Sequence, residues 1–132
     1  MMVFDSSALL AWFFGEPGAD LVQEFLDDAD TPKYLHAINE AEVIAKIGQR
    51  VDVARGRRLV AEVQMLGVEV RRDIDAAFVA DAAALKADHV VALGDCFGVA
   101  LARRLGADFI TSDRGEMGKI KVAGVCAVTF IR

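Results

Sequence analysis

Four carboxylates fall in four separate stretches of the chain, each where an apolar or strand-like run gives way to a helix-like one. They are Asp5 in Val3-Phe4-Asp5-Ser6-Ser7, Glu42 in Asn39-Glu40-Ala41-Glu42-Val43, Asp95 in Leu93-Gly94-Asp95-Cys96, and Asp113 in Phe109-Ile110-Thr111-Ser112-Asp113. An open α/β sheet gathers its strand ends along one edge, and ligands bind there. Acids brought together at such an edge repel each other. Two unit charges about 4 Å apart interact by roughly 4 kcal/mol at an effective dielectric near 20. A cation among them would relieve that repulsion, and hard oxygen donors of this kind suit Mg²⁺ or Mn²⁺.

Taken singly, each acid has a simpler reading. An acid at a helix start caps free N–H groups and faces the positive end of the helix dipole. Asp5, Asp95 and Asp113 occupy such positions, and Asn39 with Glu42 has capping-box spacing. Context separates two of them from that reading. After Asp95, the only charged residues up to Leu105 are Arg103 and Arg104, so Asp95 begins an almost wholly apolar helix. A charge beside buried surface needs a hydrogen-bond partner or a metal. Asp5 ends a central strand and precedes an apolar run that includes Ala8, Leu9, Leu10, Trp12 and Phe13. Ser6 and Ser7 follow Asp5, and Thr111 and Ser112 precede Asp113. Hydroxyls so placed orient ligating carboxylates.

The elements that must position these groups alternate. Met2 to Phe4 reads as a short buried strand, Ser7 to Phe14 as an apolar helix ended by Gly15-Glu16-Pro17-Gly18, and residues 19 to 28 as a second helix. Asp30-Thr31-Pro32 is a turn, Tyr34 to His36 a strand, and Ile38 to Arg50 a helix. Leu59, Val60, Val63 and Leu66 mark another helix closed by Gly67, and Val68 to Val70 is a strand. Asp75 caps a helix carrying Phe78, Ala82 and Leu85, and Asp95 opens one that runs to Leu105. Phe109 to Thr111 and Val125 to Phe130 are the last strands. Strands alternating with helices predict a mostly parallel sheet of about five strands covered on both faces, a three-layer α/β/α fold in a single domain spanning 1–132.

Composition narrows the function classes. The chain has 132 residues, 55% of them hydrophobic, which suffices for one packed core. No uncharged apolar run approaches the roughly 18 residues that span a bilayer, and Met1 to Asp5 carries no basic leader, so the expected compartment is the cytosol. Cys96 and Cys126 read as reduced, buried thiols. The net charge of −5 argues against nucleic-acid binding through bulk charge, yet Arg50, Arg55, Arg57 and Arg58 cluster, as do Arg71-Arg72, Arg103-Arg104, and Arg114 with Lys119 and Lys121. Each cluster reads as a solvated face or as a phosphate-tracking one. Neither phosphate-cradling glycine loop is present, and His36 and His89 stand in no metal spacing.

On these motifs the chain resembles the PIN-domain ribonucleases, specifically the VapC-type toxins of toxin–antitoxin pairs. The resemblance rests on Val3-Phe4-Asp5-Ser6-Ser7-Ala8-Leu9-Leu10-Ala11-Trp12, on Gly15-Glu16-Pro17-Gly18-Ala19, on Asn39-Glu40-Ala41-Glu42-Val43, and on Leu93 to Gly106 continuing into Ile110-Thr111-Ser112-Asp113-Arg114. It covers essentially the whole chain in order and spacing. It implies a PIN-like fold and Mg²⁺- or Mn²⁺-dependent hydrolysis of RNA that leaves a 5′-phosphate and a 3′-hydroxyl. Asp5 and Asp95 would be principal metal ligands, Asp113 a further ligand, and Glu42 a second-metal ligand or the residue that orients water. Ser7 and Thr111 would support the carboxylates. Implied partners are RNA, a VapB-like antitoxin and a second copy of the chain. Glu40 is the less favoured register for the helix acid. Where many relatives carry an aromatic residue beyond the last aspartate, this chain has Gly115-Glu116-Met117, with Glu116 read either as a fifth acid near the metal or, the favoured reading, as an exposed loop residue.

Two other classes fit parts of the pattern. A receiver domain shares a small α/β unit and an acidic Mg²⁺ pocket, but usually shows two adjacent acids where this chain has Asp5 followed by serines. A binding module could keep the fold without catalysis, although the complete set of four acids speaks against it. The Trp12-Phe13-Phe14 cluster reads either as core or as a surface for self-association or an antitoxin helix.

Overall fold

The computed structural model describes residues 1–132. The elements in chain order are β1 (Met2–Phe4), α1 (Ser6–Phe14), α2 (Ala19–Asp27), β2 (Lys33–His36), α3 (Ala37–Arg50), α4 (Val53–Met65), β3 (Val68–Arg71), α5 (Ala76–Asp88), α6 (Leu93–Leu105), β4 (Asp108–Thr111), α7 (Arg114–Val122) and β5 (Val128–Phe130). The five strands form one sheet in the order β3-β2-β1-β4-β5, and every pairing is parallel.

Side-chain alternation along the strands divides the interior in two. Met2 and Phe4 of β1 and Ile110 of β4 point into one core with Leu9, Val22, Val43, Ile47, Leu59 and Val63 from α1 to α4. Val3 and Phe109, one residue out of phase, point into the other with Phe78, Val99, Leu101, Met117 and Ile120 from α5 to α7. Successive strand residues face opposite sides of a sheet, so a parallel sheet that is apolar on both faces must be covered twice. The predicted three-layer α/β/α architecture is what the chain adopts.

The sheet places the site through its topology. From β1 the chain moves out through β2 to β3, then returns to lay β4 on the other side of β1. In such doubly wound sheets a crevice opens at the carboxyl ends of the two strands where the order reverses, here β1 and β4. Asp5 follows β1, and Thr111 ends β4.

Three elements differ from the sequence expectation. Helix α7 occupies a stretch to which the sequence reading assigned no element, because Gly115 and Gly118 dilute its helical signal. Met117 and Ile120, three residues apart, nevertheless bury one side of it. Strand β5 begins at Val128 and not at Val125, since the Val125 N–H bonds back to the Ile120 carbonyl at 3.2 Å and closes α7. Helix α6 starts at Leu93 with Ala92 as its N-cap, so Asp95 lies within the first turn and caps nothing.

Helices α3 and α4 approach so closely that a Cβ at Gly56 would lie 2.9 Å from both the Cα and the carbonyl oxygen of Ile44. Backbone atoms cannot swing aside. Gly56→Ala should therefore lose stability on the order of 1–3 kcal/mol from overpacking, offset by about 1 kcal/mol of helix propensity. Gly118→Ala, in the helix α7 with nothing within 4 Å of the added methyl, should gain roughly 0.5–1 kcal/mol. Urea unfolding of the two variants should give shifts of opposite sign; a stabilised Gly56→Ala would contradict the packing described.

Candidate active site

Asp5 is 2% exposed, and its carboxylate is held by hydroxyls. Ser7 Oγ donates to Oδ2 at 2.6 Å, and Thr111 Oγ1 donates to the same oxygen at 2.7 Å. Only a 3.5 Å contact from Ser6 reaches Oδ1. The hydroxyls are themselves fixed, because Ser7 Oγ accepts the Ser112 N–H at 3.0 Å and Thr111 Oγ1 accepts the Asp113 N–H at 3.1 Å. A single network thus ties the end of β1 and the start of α1 to the β4–α7 turn. Asp113 Oδ1 accepts the Glu116 N–H at 3.0 Å, so this acid does cap α7 as well as facing the pocket.

Glu42 does not form the capping box that its spacing with Asn39 allows. The N-cap of α3 is His36, whose Nδ1 accepts the Ile38 N–H at 3.0 Å. Its Nε2 lies 3.0 Å from the Asp73 carbonyl, so the ring carries its proton on Nε2 and stacks on Phe78. Asn39 therefore lies inside the helix, fully buried, and its amide reaches Glu42 Oε1 at 2.7 Å and the Gly94 carbonyl at 3.1 Å. Both partners are acceptors, so the NH₂ must face them, which leaves Asn39 Oδ1 buried without a partner. The strand-to-helix junction at His36 hid this role from the sequence reading. A shared i, i+3 spacing with Glu42 was its only trace.

Asp95 comes from the first turn of α6. Its neighbour Gly94 makes room for Glu42, since a Cβ there would lie 2.8 Å from both carboxylate oxygens of Glu42. Glu116 sits in helix α7 and not in an exposed loop. It is half-buried, and its Oε2 accepts the Ala92 N–H at 2.8 Å, fastening α7 to the start of α6.

The electrostatics bring the acids together. Burial pushes Asp95 up to about 7, and repulsion from Asp5, Glu42, Asp113 and Glu116 adds to it, in that order. Burial raises Asp5 too, opposed by the Ser7 and Thr111 hydroxyls, with Asp113 adding a smaller push. Burial likewise raises Glu42, opposed by Asn39, with Asp5 pushing upward. No Lys or Arg forms an ion pair with any of the four acids. They are near enough to repel one another, yet no three side chains stand close enough to ligate one ion together. Repulsion from Asp5, Glu42, Asp113 and Glu116 at Asp95 marks a common pocket. Unpaired oxygen donors on two firmly anchored acids match in type what a hard divalent cation selects.

Trp12, Phe13 and Phe14 are neither wholly core nor an open patch. All three are half-buried against the first core. Trp12 Nε1 donates to Gln23 at 2.8 Å, while Arg50 and Arg55 lie over Phe14 and Phe13.

A family model described as PIN domain matches residues 2–122. Among solved structures the chain is similar to a toxin–antitoxin complex from Klebsiella pneumoniae, with TM-score 0.74, 20% identity, and coverage of 100% of this chain and 98% of that one. It is similar to the sarcin-ricin loop cleaving toxin VapC20 of Mycobacterium tuberculosis, with TM-score 0.74, 15% identity, and coverage of 94% and 95%. FitAcB of Neisseria gonorrhoeae gives TM-score 0.67 at 20% identity, covering 99% and 98%. At such identities the likeness is one of fold. No curated protein matches the sequence.

The raised Asp95 has a consequence for stability. Between the unfolded aspartate value of about 3.9 and the folded value of about 7, the native state holds a proton that the unfolded chain has released. The contribution is complete below the lower value and is lost as pH rises through the upper one. Metal-free protein should therefore lose stability between pH 5 and 8, and Asp95→Asn should flatten that loss and be the more stable protein at pH 8. Comparing the two at each pH removes the opposite trend from His36, which burial holds below its ordinary range. Parallel urea midpoints for parent and variant across this window would refute the strained pocket.

Proposed function

We propose a function from one premise: the chain belongs to the PIN domain family. The reading is a Mg²⁺- or Mn²⁺-dependent endoribonuclease of one domain, acting in the cytosol as the toxin of a toxin–antitoxin pair. The observation that carries it is the set of mutually repelling carboxylates Asp5, Glu42, Asp95 and Asp113 near the β1/β4 crevice, none of them in an ion pair.

In this reading Asp5 and Asp95 are the principal ligands, Asp113 is a further one, and Glu42 either holds a second ion or orients the attacking water. A divalent ion bound there supplies charge stabilisation at the scissile phosphate and lowers the pKa of water. The chain's own residues do the positioning. Ser7 and Thr111 occupy Oδ2 of Asp5, leaving Oδ1 as the freer oxygen. Asn39 restrains Glu42 through Oε1. Glu116 fixes the start of α6, and with it Asp95. The buried, hydroxyl-lined floor excludes bulk water from the Asp5 side and presents that carboxylate in a set orientation.

An antitoxin partner is part of the same reading, supported by the fold likeness to a chain of a toxin–antitoxin complex and by the half-buried Trp12-Phe13-Phe14 cluster. A homodimer belongs to it as well. No helix of the structure is long and apolar enough to cross a membrane.

The test is cleavage of RNA by the purified chain. Activity should require Mg²⁺ or Mn²⁺, stop in excess EDTA, and be lost in Asp5→Asn with the circular dichroism spectrum unchanged. Thr111→Val, which keeps shape and removes one anchor of Asp5, should lower the rate roughly 10- to 100-fold. Full activity in EDTA or in Asp5→Asn would sink the proposal, and a metal-binding chain that never cleaves RNA would favour the non-catalytic module.

A further inference from the structure

A cleft of about 400 Å³ opens beside the carboxylates, and its chemistry is opposite to theirs. Ser7 belongs to both: its hydroxyl holds Asp5, and its side chain lines the cleft together with Ser112. The far wall carries Lys46 and Arg50 of α3. Glu42, Lys46 and Arg50 recur at four-residue intervals, so they lie along one face of that helix. Each step advances about 6 Å along the helix axis. That step is close to the separation of successive phosphates along a nucleic-acid strand. A row that begins with an acid in the pocket thus continues as two cations leading away from it.

Neither cation is neutralised by an ion pair. Both are exposed, on a chain whose net charge is −5. Arg50 is also pre-positioned, its guanidinium stacked 3.7 Å above the Phe14 ring, which leaves its N–H edge free to donate. Arg132 adds a third cation at the rim, tethered to the Pro17 carbonyl at 3.1 Å. Glu16, the one acid lining the cleft, lies 3.7 Å from Arg132 and leaves Lys46 and Arg50 untouched. A patch of stacked arginine, lysine and the Ser112 hydroxyl offers what phosphate oxygens take, with Gln49 the one neutral amide among the lining residues.

We propose that Lys46 and Arg50, with Ser112, form a phosphate-binding subsite that holds the backbone of single-stranded RNA immediately beside the scissile bond. The inference rests on the ribonuclease reading for its ligand, and binding is measured apart from cleavage so that the two can fail separately. The cleft sets the direction in which the strand leaves the carboxylates. Because the contacts are to phosphate, it contributes affinity for any sequence and leaves base preference to other surfaces.

The experiment measures anisotropy of a short fluorescent single-stranded RNA on the full-length Asp5→Asn chain in Mg²⁺, with and without Lys46→Gln plus Arg50→Gln. The same comparison in the parent chain with EDTA serves if Asp5→Asn does not fold. The double variant should bind at least about tenfold more weakly, and its plot of log affinity against log salt should be shallower by about 1.4, two contacts at roughly 0.7 each. Removing the basic pair on α4, by Arg57→Gln with Arg58→Gln, should change neither. In the cleaving enzyme the Lys46/Arg50 variant should raise KM and spare kcat. Equal RNA binding by parent and double variant, an equal loss in the α4 control, or no binding by the parent overturns the subsite. An unchanged RNA affinity would assign the cleft to an acidic protein segment. Loss of binding in a chain that never cleaves RNA would keep the subsite and remove the nuclease.

Discussion

A carboxylate buried at the end of a central strand must be solvated by something, and around Asp5 the solvent is protein. Two hydroxyls from distant parts of the chain converge on one of its oxygens, and each hydroxyl is held in turn by a backbone N–H of the β4–α7 turn. An unpaired charge in that position would carry a large desolvation cost. The two hydrogen bonds offset part of it while leaving the other oxygen nearly unengaged. The α1 start, the β4 end and the α7 cap are all arranged to make this possible, and the remaining acids are placed relative to it.

The same arrangement sets stability against function. Buried acids that share a pocket without an ion pair weaken the fold in which they sit, and the cost appears as raised proton affinity at Asp95, Asp5 and Glu42, eased at Glu42 by Lys46. Asn39 shows how little the interior concedes elsewhere. Its amide is spent on Glu42 and the α6 backbone, its own carbonyl is left unpaired, and a Cβ at Gly98 would lie 2.7 Å from Phe109 Cε2 and 2.8 Å from that oxygen. Buried polar atoms without partners are uncommon in native proteins, and those that persist cluster where geometry serves a ligand. Two well-packed apolar cores on either side of the sheet supply the stability that the pocket lacks.

Much of this was legible in the sequence, for identifiable reasons. Strand residues such as Val3-Phe4 and Phe109-Ile110 are apolar at consecutive positions, which marks a sheet buried on both faces, and the acids and hydroxyls directly after them could belong only to its edge. The grouping of Asp5, Ser7, Thr111 and Asp113 follows from that alone. Asn39 was misread because its spacing to Glu42 satisfies a capping box, while the true cap is the imidazole of His36, a residue type seldom considered for that task. Helix α7 was missed because two glycines mask an amphipathic turn, and with it went the half-buried placement of Glu116. A helical wheel sets Lys46 beside Glu42 on the polar side of α3, and Arg50 reads as one of a basic cluster. Their alignment with Glu42 acquires meaning once the helix face is known to border the pocket.

The strand order carries one more consequence, for the life of the chain on the ribosome. Strand β1 emerges first, yet it is the middle strand, and its partner β4 spans Asp108–Thr111. Until that late segment is released, the hydroxyl of Thr111 is absent, one edge of β1 is unpaired, and Asp5 has lost half of its hydrogen bonding. Closing so long a loop is slow and uphill until its contacts form. Nascent or truncated chains would therefore hold the first carboxylate without the pocket that gives it purpose. The carboxylate cluster is thus left incomplete, by topology alone, until β4 has been synthesised.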